Sequence, residues 1–373
     1  MSANAIAVPI PAGPAARSAG VWRTAWTRFR GDRVGMSCML VVLAYLLLIL
    51  ASGLGLVAAD WQRERAVPNA PPGFVGPRPA EQTGAIAQPK GPNVDLSDID
   101  PLAPRYAEWA ERASRLKTAE AVKAETLPLG GDRLGRDVLD KAIKGTEISV
   151  FVGVLAAVVA TTIGTLLGAL GGFFGGKVGD FLEWLYNVIE SVPGILLILA
   201  IAAVLKDNQE FRGVLLALLQ ALGFSASSLG VLTVVIILAL TGWTGMYRQV
   251  RAEFIKHASR DYVRAAEAIG ASSSSRMFRH ILPNVSHVIL VRMSLLVVGF
   301  IKSEVILSYL GLGVPIDQVS WGTMLSEAQS ELILGHWWQL ATATVMMAAF
   351  VTAFSLMADA WRDALDPKLR GAE

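Results

Sequence analysis

The chain has 373 residues, is 53% hydrophobic and only 17% charged, and carries a formal net charge of +2. That apolar share lies above the about 45–50% of soluble domains, and a near-neutral balance supplies no global field for nucleic acid. The single cysteine, Cys38, excludes an intrachain disulfide framework.

Residues 1–20 are mostly Ala, Pro and Gly and are expected to be disordered. Trp22 to Arg33 predicts a basic amphipathic helix on the inner membrane surface, with Trp22, Trp26 and Phe29 toward lipid. The first long apolar run, 36–59, follows this Arg-rich flank. Val57-Ala58-Ala59 loosely resembles a signal cleavage site, but the run starts too late and is too long, so an uncleaved anchor is expected. Five more apolar runs, at 146–172, 184–205, 229–247, 285–308 and 339–361, approach or exceed the ~20 residues that cross ~30 Å of hydrocarbon. They are continuous rather than alternating, so they predict helices and not a barrel.

Between the first two runs, residues 60–145 form a long segment with a Pro-rich part, PNAPPGFVGPRP, read as an extended, exposed loop. Asp100 to Glu125 reads as a short helix within it. GGFFGGKV at 171–178 nearly spells a phosphate loop, but Val178 stands where Ser or Thr would hold Mg²⁺ and no strand precedes it. A tight inner turn is the better reading. Glu190 lies in the third run, three residues before Pro193, which predicts a kink. Lys206 to Gly230 is read as an outer loop whose core, FRGVLLALLQALGF, is an interfacial helix.

Basic residues cluster before the first run (Arg17, Arg23, Arg28, Arg30, Arg33), across 248–281, and after the last run (Arg362, Lys368, Arg370). The positive-inside rule places all three in the cytoplasm, which requires an even number of crossings. The expected fold is an all-α membrane protein with six transmembrane helices and cytoplasmic N and C termini. It divides into a 1–35 cytoplasmic segment, a 36–59 span, a 60–145 extracytoplasmic loop, a 146–361 five-helix core with a cytoplasmic loop at 248–283, and a 362–373 tail.

That cytoplasmic loop contains DYVRAAEAIGASSSSRMFRHILPN, residues 261–284. Tyr262, Ala265, Ala266 and Ile269 recur at i, i+3, i+4 and i+7 and predict one helix face. Gly270 ends that helix where a left-handed residue is easiest. Serines 272–275 offer N-caps for a second short helix, 276–281, and Pro283 marks the entry to the next span. Such an elbow either packs on its own bundle or receives a separate partner, and its small residues would let another backbone come close.

The elbow resembles the coupling loop of binding-protein-dependent ABC importer permeases: Glu-Ala-Ala, three residues, Gly, nine residues, Ile-x-Leu-Pro. Here Arg264-Ala265-Ala266, Gly270 and His280-Ile281-Leu282-Pro283 hold those places, with Arg264 for the usual Glu and His280 for Ile. Leu134-Gly135-Arg136-Asp137-Val138-Leu139 with Gly145 and Ile148-Ser149 is similar to the dipeptide/oligopeptide branch. So are Ser308-Tyr309-Leu310-Gly311-Leu312-Gly313, Ser320-Trp321-Gly322 and Arg362-Asp363-Ala364-Leu365-Asp366-Pro367. The long outer segment fits the second, C-type permease of the pair.

The resemblance implies a type I ABC importer permease fold in the bacterial inner membrane. It implies import of peptides or peptide-like solutes by alternating access. Its implied partners are a second related permease, two ABC ATPase subunits, an extracytoplasmic substrate-binding protein and the lipid bilayer, with no nucleic acid. This chain would bind no cofactor and hydrolyse nothing; ATP and Mg would sit on the ATPases. Asp261, Tyr262, Arg264, Ala265, Ala266, Glu267, Ile269, Gly270, His280, Leu282 and Pro283 would form the ATPase coupling site, where a bulky Ala266 substitution would block docking. Glu190, Pro193 and Glu304 would line or gate the pathway, the alternative being a helix–helix hydrogen bond.

Nickel, opine, oligosaccharide and antimicrobial-peptide importers use similar permeases. A secondary transporter would show inverted repeats and an intramembrane enzyme a convergent acid or nucleophile pair; neither pattern is present. The four histidines have no ligand-like spacing, so no metal site is expected. Trp321, Trp337 and Trp338 read as an outer aromatic belt.

Overall fold

The computed structural model describes residues 21–77, 102, 105–115, 123–221, 223, 228–315 and 317–365. The readings made for 1–20, for most of 78–122 and for the Asp366-Pro367 end of the tail fall outside the described residues.

Helix α1 (Val21–Gly31) hands over at Asp32, whose carboxylate accepts the Val34 N–H at 2.9 Å and caps α2 (Arg33–Gly53). α1 does not turn its aromatic face wholly to lipid. Phe29 is buried and stacks on Trp361 near the end of the chain, with ring centroids 4.6 Å apart, and Trp26 stacks on the same indole. The binary pattern predicted an amphipathic helix correctly, but an apolar stripe does not say whether lipid or protein covers it. α3 (Tyr106–Arg115) is the short helix expected within 100–125.

Asp137 caps the next helix by accepting the Leu139 N–H at 2.9 Å. α4 (Val138–Phe174) has 37 residues, about 55 Å at 1.5 Å per residue, against ~30 Å of hydrocarbon. It therefore begins eight residues before the apolar run at 146; Asp140, Lys141 and Lys144 kept the run from starting earlier without interrupting the helix. Gly175 and Gly176, with φ of 59° and 48°, make the turn into α5 (Gly176–Glu190), the inner turn read from GGFFGGKV.

α5 and α6 (Gly194–Asp207) meet at 88°, a full break rather than a kink. Pro193 lacks an N–H, and Glu190 to Leu196 are exposed around the corner. α7 (Gln209–Ala221) is the outer-loop helix, burying Leu215 and Leu219. α8 (Leu229–Gly242) and α9 (Thr244–Ala258) form a second bent pair at 43°. α10 (Asp261–Ala268) follows. A short α11 (Ser273–Ser275) then runs through π-helical turns, Arg276–Ile281, into α12 (Leu282–Tyr309). α13 (Trp321–Ile333) and α14 (Trp338–Leu365) complete the described chain. Four helices are long and apolar enough to span a membrane, and the two bent pairs bring the number to six. Among the described residues only isolated bridges, and no strand, occur.

α4 is the hub: half of its most apolar window is buried, against 11% for the peripheral α2. Gly164, Gly168 and Gly172, four residues apart, put bare backbone against α9. A Cβ at Gly168 would lie 2.8 Å from the Tyr247 carbonyl oxygen, and one at Gly172 2.6 Å from that of Arg251. Such close approach is what small residues at helical spacing permit in lipid. The stripe stands in the sequence at i, i+4, i+8, but its spacing alone does not say that another helix packs against it.

At the outer end the segment before α4 is not simply extended. Ala66 and Ala70 are fully buried, and 64–72 pairs with 124–136 through Glu64–Arg136, Ala66–Ala124 and Pro72–Leu127 bridges. Trp321 and Trp338 are also buried. Trp338 Nε1 donates to the Gly131 carbonyl at 2.7 Å, so only Trp337, 45% exposed, remains available for an interfacial belt.

Beneath this cap Lys141 Nζ donates to Asp132 (2.8 Å) and to Glu327, while Arg136 Nε donates to Asp132 at 2.6 Å. Burial alone would raise the Asp132 carboxyl, but Lys141 and Arg136 outweigh it and hold it below the usual range. Glu331 differs. Burial, with Asp132 and Glu327 adding to it, raises its pKa to about 7 against the Arg133 N–H and Lys141. The folded state therefore binds that proton more tightly than the unfolded chain. Its stabilising contribution is full at and below about pH 4.5 and is lost as pH rises toward 7, on the order of 1–3 kcal/mol over that window. Thermal unfolding of the solubilised chain at pH 5 and 7.5 should show this slope as the difference from Glu331→Gln, which lacks it.

Candidate functional site: the inner elbow

α9 ends on Lys256 and His257, and Arg260 with ψ of 148° breaks the helix so that α10 starts in a new direction. At its far end Gly270 takes φ of 83°, with the Ala271 N–H donating to the Ala266 carbonyl and the Gly270 N–H to that of Glu267, both at 2.9 Å. That pair of bonds is a Schellman closure, which demands the left-handed residue predicted here. Ser272 is the cap the serine run promised, accepting the Ser275 N–H at 3.3 Å.

The second half departs from the sequence reading. No separate helix precedes Pro283; Ser273–Tyr309 is one continuous rod of 37 residues. Pro283 sits near the start of α12, beyond wide π-helical turns through His280. Such turns do not need the i to i−4 bond that proline removes.

Helix α10 is pinned on one side only. Val263 (2% exposed) and Ala266 (4%) face inward, and Val263 joins a core of Val250, Phe254, Met277, Ile281 and Val285. Glu267 pairs with Arg276 at 2.5 Å, and the Arg276 guanidinium lies 5.2 Å from the Phe173 ring centroid, tying the elbow to α4. The Tyr262 hydroxyl is 2.8 Å from His257 Nδ1. Asp261, Arg264, Ala265 and Ile269 point away, with Ile269 85% exposed. Ala266 therefore does not belong to an outward face with Tyr262, Ala265 and Ile269: the inward stripe is Val263–Ala266, about 80° from where spacing alone placed it. A bulky residue at Ala266 would unseat the elbow itself. His280 and Leu282 are half-buried and Pro283 is exposed.

The elbow shares one end of the bundle with both described chain ends. Trp361 of α14 packs on α1, and Arg362 lines a cavity with Gln249 of α9 and His287 of α12. This agrees with an even number of crossings.

The intramembrane acids separate. Glu190 and Pro193 lie at the exposed α5–α6 corner. Glu304 is fully buried and accepts from Ser149 Oγ and Ser308 Oγ, each at 2.7 Å. Ser149 in turn accepts the Trp321 N–H at 3.1 Å, and Ser308 the Val314 N–H at 3.1 Å. Three segments, one of them about 155 residues away in sequence, thus converge around one carboxylate: Ile148-Ser149, Ser308–Gly313 and Ser320-Trp321-Gly322. Gly322 fits because a Cβ there would lie 2.6 Å from Ser308 Cβ. Of the two readings for Glu304, this geometry is that of the helix–helix hydrogen bond and not of a pathway lining. The Asp132–Lys141–Glu327–Glu331 cluster was missed because its members are unremarkable charges in a loop and an outer helix until α4 and α13 are packed together. No group of three or more His, Cys, Asp or Glu side chains suited to a metal occurs among the described residues.

Residues 160–371 match the family of binding-protein-dependent transport system inner membrane components. The chain belongs to that family. It is a multi-pass permease subunit of the bacterial inner membrane, of the ABC importer type. It is 33% identical over 269 residues to the oligopeptide transport system permease protein OppC of Bacillus subtilis (strain 168), covering 72% of this chain and 81% of that protein. Against the dipeptide transport system permease protein DppC of Lactococcus lactis subsp. cremoris, identity is 26% over 347 residues, covering 93% of this chain and 90% of the relative. The glutathione transport system permease protein GsiD of Salmonella paratyphi A is 35% identical over 242 residues, with 65% and 72% covered.

Proposed function

We propose that this permease is the C-type transmembrane subunit of an importer for peptides or peptide-like solutes, driven through α10 by ATPase subunits on other chains. The observation that carries the coupling reading is the one-sided seating of α10, held rigidly by Val263, Ala266 and the Glu267–Arg276 pair while Ala265 and Ile269 stay open at the inner end. A rod fixed on one side and bare on the other can pass a push from a visiting subunit into α9 and α12. Two ATPases, each seated on one permease's α10, would close on ATP and Mg²⁺ and open the outer side to an extracytoplasmic binding protein. The exposed corner around Glu190 and Pro193, with Ile195 (49% exposed) and Leu196 (56%), is the surface a second permease would cover to form the pathway. The peptide class rests on relatives named for oligopeptide, dipeptide and glutathione transport.

Co-expression with the ATPases and binding protein of the same system, followed by uptake of labelled di- to oligopeptides into vesicles, tests this. ATP-dependent peptide uptake is expected. ATPases that fail to co-purify remove the coupling reading, and uptake of nickel or an oligosaccharide in place of peptide removes the substrate class.

Glu304 is assigned here to holding α4, α12 and α13 together. Glu304→Ala strands two buried hydroxyls and should cost about 3 kcal/mol, read as a lowered unfolding temperature, while Glu304→Gln keeps an acceptor and most of the stability. A pathway role predicts the opposite: unchanged unfolding with altered uptake.

A further inference from the structure

A cavity of about 340 Å³ opens between α9, α12 and α14 near the inner end. Gln249, His287, Arg292 and Arg362 line it together with apolar Val288, Val291, Leu295 and Leu365, and no carboxylate is among its lining residues. Two features mark Arg292 as placed rather than incidental. Its guanidinium lies across α9 at Gly245, where a Cβ would come within 2.6 Å of Nη2. Its Nε is buried without a hydrogen-bond partner. An uncompensated cation held against backbone at membrane depth is costly, and a bound anion offsets that cost.

The depth fits a particular source of anion. At 1.5 Å per residue Arg292 lies about 26 Å along α12 from Tyr309, a few Å short of the ~30 Å hydrocarbon thickness, which sets it just beneath the inner headgroups if Tyr309 marks the outer boundary. Arg362 lies in the last turn of α14 and His287 nearer the inner end of α12 than Arg292, apolar Val288 and Val291 flank these cations at their own level, and Leu295 lies one turn deeper. A lining in which cations and apolar side chains stand side by side suits an amphiphile better than a free ion.

We propose that this cavity binds the phosphate headgroup of an anionic phospholipid of the inner leaflet, with Arg292 and Arg362 on the phosphate, His287 and Gln249 beside it, and an acyl chain along Val291 and Leu295. Basic pockets between spans on the cytoplasmic side recognise such headgroups. Inorganic phosphate shares the charge but not the apolar half.

Native mass spectrometry of the full-length solubilised chain, titrated with phosphatidylglycerol or phosphatidylcholine, reads this directly. Wild type should retain phosphatidylglycerol at least tenfold better than phosphatidylcholine, and excess inorganic phosphate should not displace it. Arg292→Gln should lose that preference, and Arg362→Gln, an exposed position that leaves folding intact, should weaken it severalfold. Equal retention of the two lipids, full retention in both variants, or displacement by inorganic phosphate would each overturn the assignment.

Discussion

Gly168→Leu is expected to leave almost no folded permease. A single Cβ at that position would already lie 2.8 Å from the Tyr247 carbonyl oxygen and 2.9 Å from Val250 Cβ, both on α9. Neither is the end of a flexible side chain, so α9 as a whole must retreat. Overpacking a tight contact costs typically 1–3 kcal/mol. Leu against backbone in a stripe shared with Gly164 and Gly172 should exceed about 3 kcal/mol, and Gly168→Ala should fall between Leu and wild type. Because α9 leads directly into α10, partial survivors should also lose coupled uptake. Size-exclusion recovery and thermal unfolding in detergent measure the effect, with Gly299→Ala as the control. Gly299 lies in another span with nothing within 4 Å of its Cβ position, and its substitution should stay within about 0.5 kcal/mol of wild type. A stable, monodisperse Gly168→Leu permease would show that α4 and α9 do not pack as described.

The second large effect separates docking from folding at the elbow. Ile269 is 85% exposed on the free side of α10. If an ATPase subunit covers it, its burial contributes about 1.5–3 kcal/mol, equivalent to roughly 10–100-fold in affinity. Ile269→Asp should therefore cut ATPase co-purification at least tenfold and abolish ATP-driven uptake, with the unfolding temperature of the isolated permease unchanged. Ala265→Trp should do the same by bulk. Ala266→Trp is expected to lower the unfolding temperature as well, because Ala266 is only 4% exposed against its own chain. Undiminished ATPase retention in Ile269→Asp and Ala265→Trp would move the coupling surface elsewhere.

Local rules carried much of the elbow. The Gly270 closure and the Ser272 cap follow from backbone preferences that act over a few residues, and each appears where the sequence places it. The face assignment failed by about 80°. Spacing reports which residues share a stripe, whereas the choice between Val263 and Tyr262 as the inward member depends on Phe254, Met277 and Ile281 arriving from other helices. The Trp321 reading failed for a related reason. An indole near an outer helix end suits the interface, but Ser149 and Phe350 close over this one and bury it.

What the sequence alone determined about this permease is its membrane character, apolar runs for up to six crossings and the kind of loop that projects between the fourth and fifth of them; it leads us to expect both ends in the cytoplasm. Hydrophobic length, positive flanks and short-range capping suffice for those, since each is decided by the solvent or by neighbours within one turn. Only tertiary structure decided that the third span breaks by 88° at Pro193 and that Glu304 is a shared hydrogen-bond centre. It also decided that a carboxylate at Glu331 holds its proton to about pH 7 and that Arg292 meets the mouth of a cavity without a counter-charge. The last three depend on groups brought together by packing, where burial and the low dielectric around them set the energy, whereas the proline announced a bend and left its angle open.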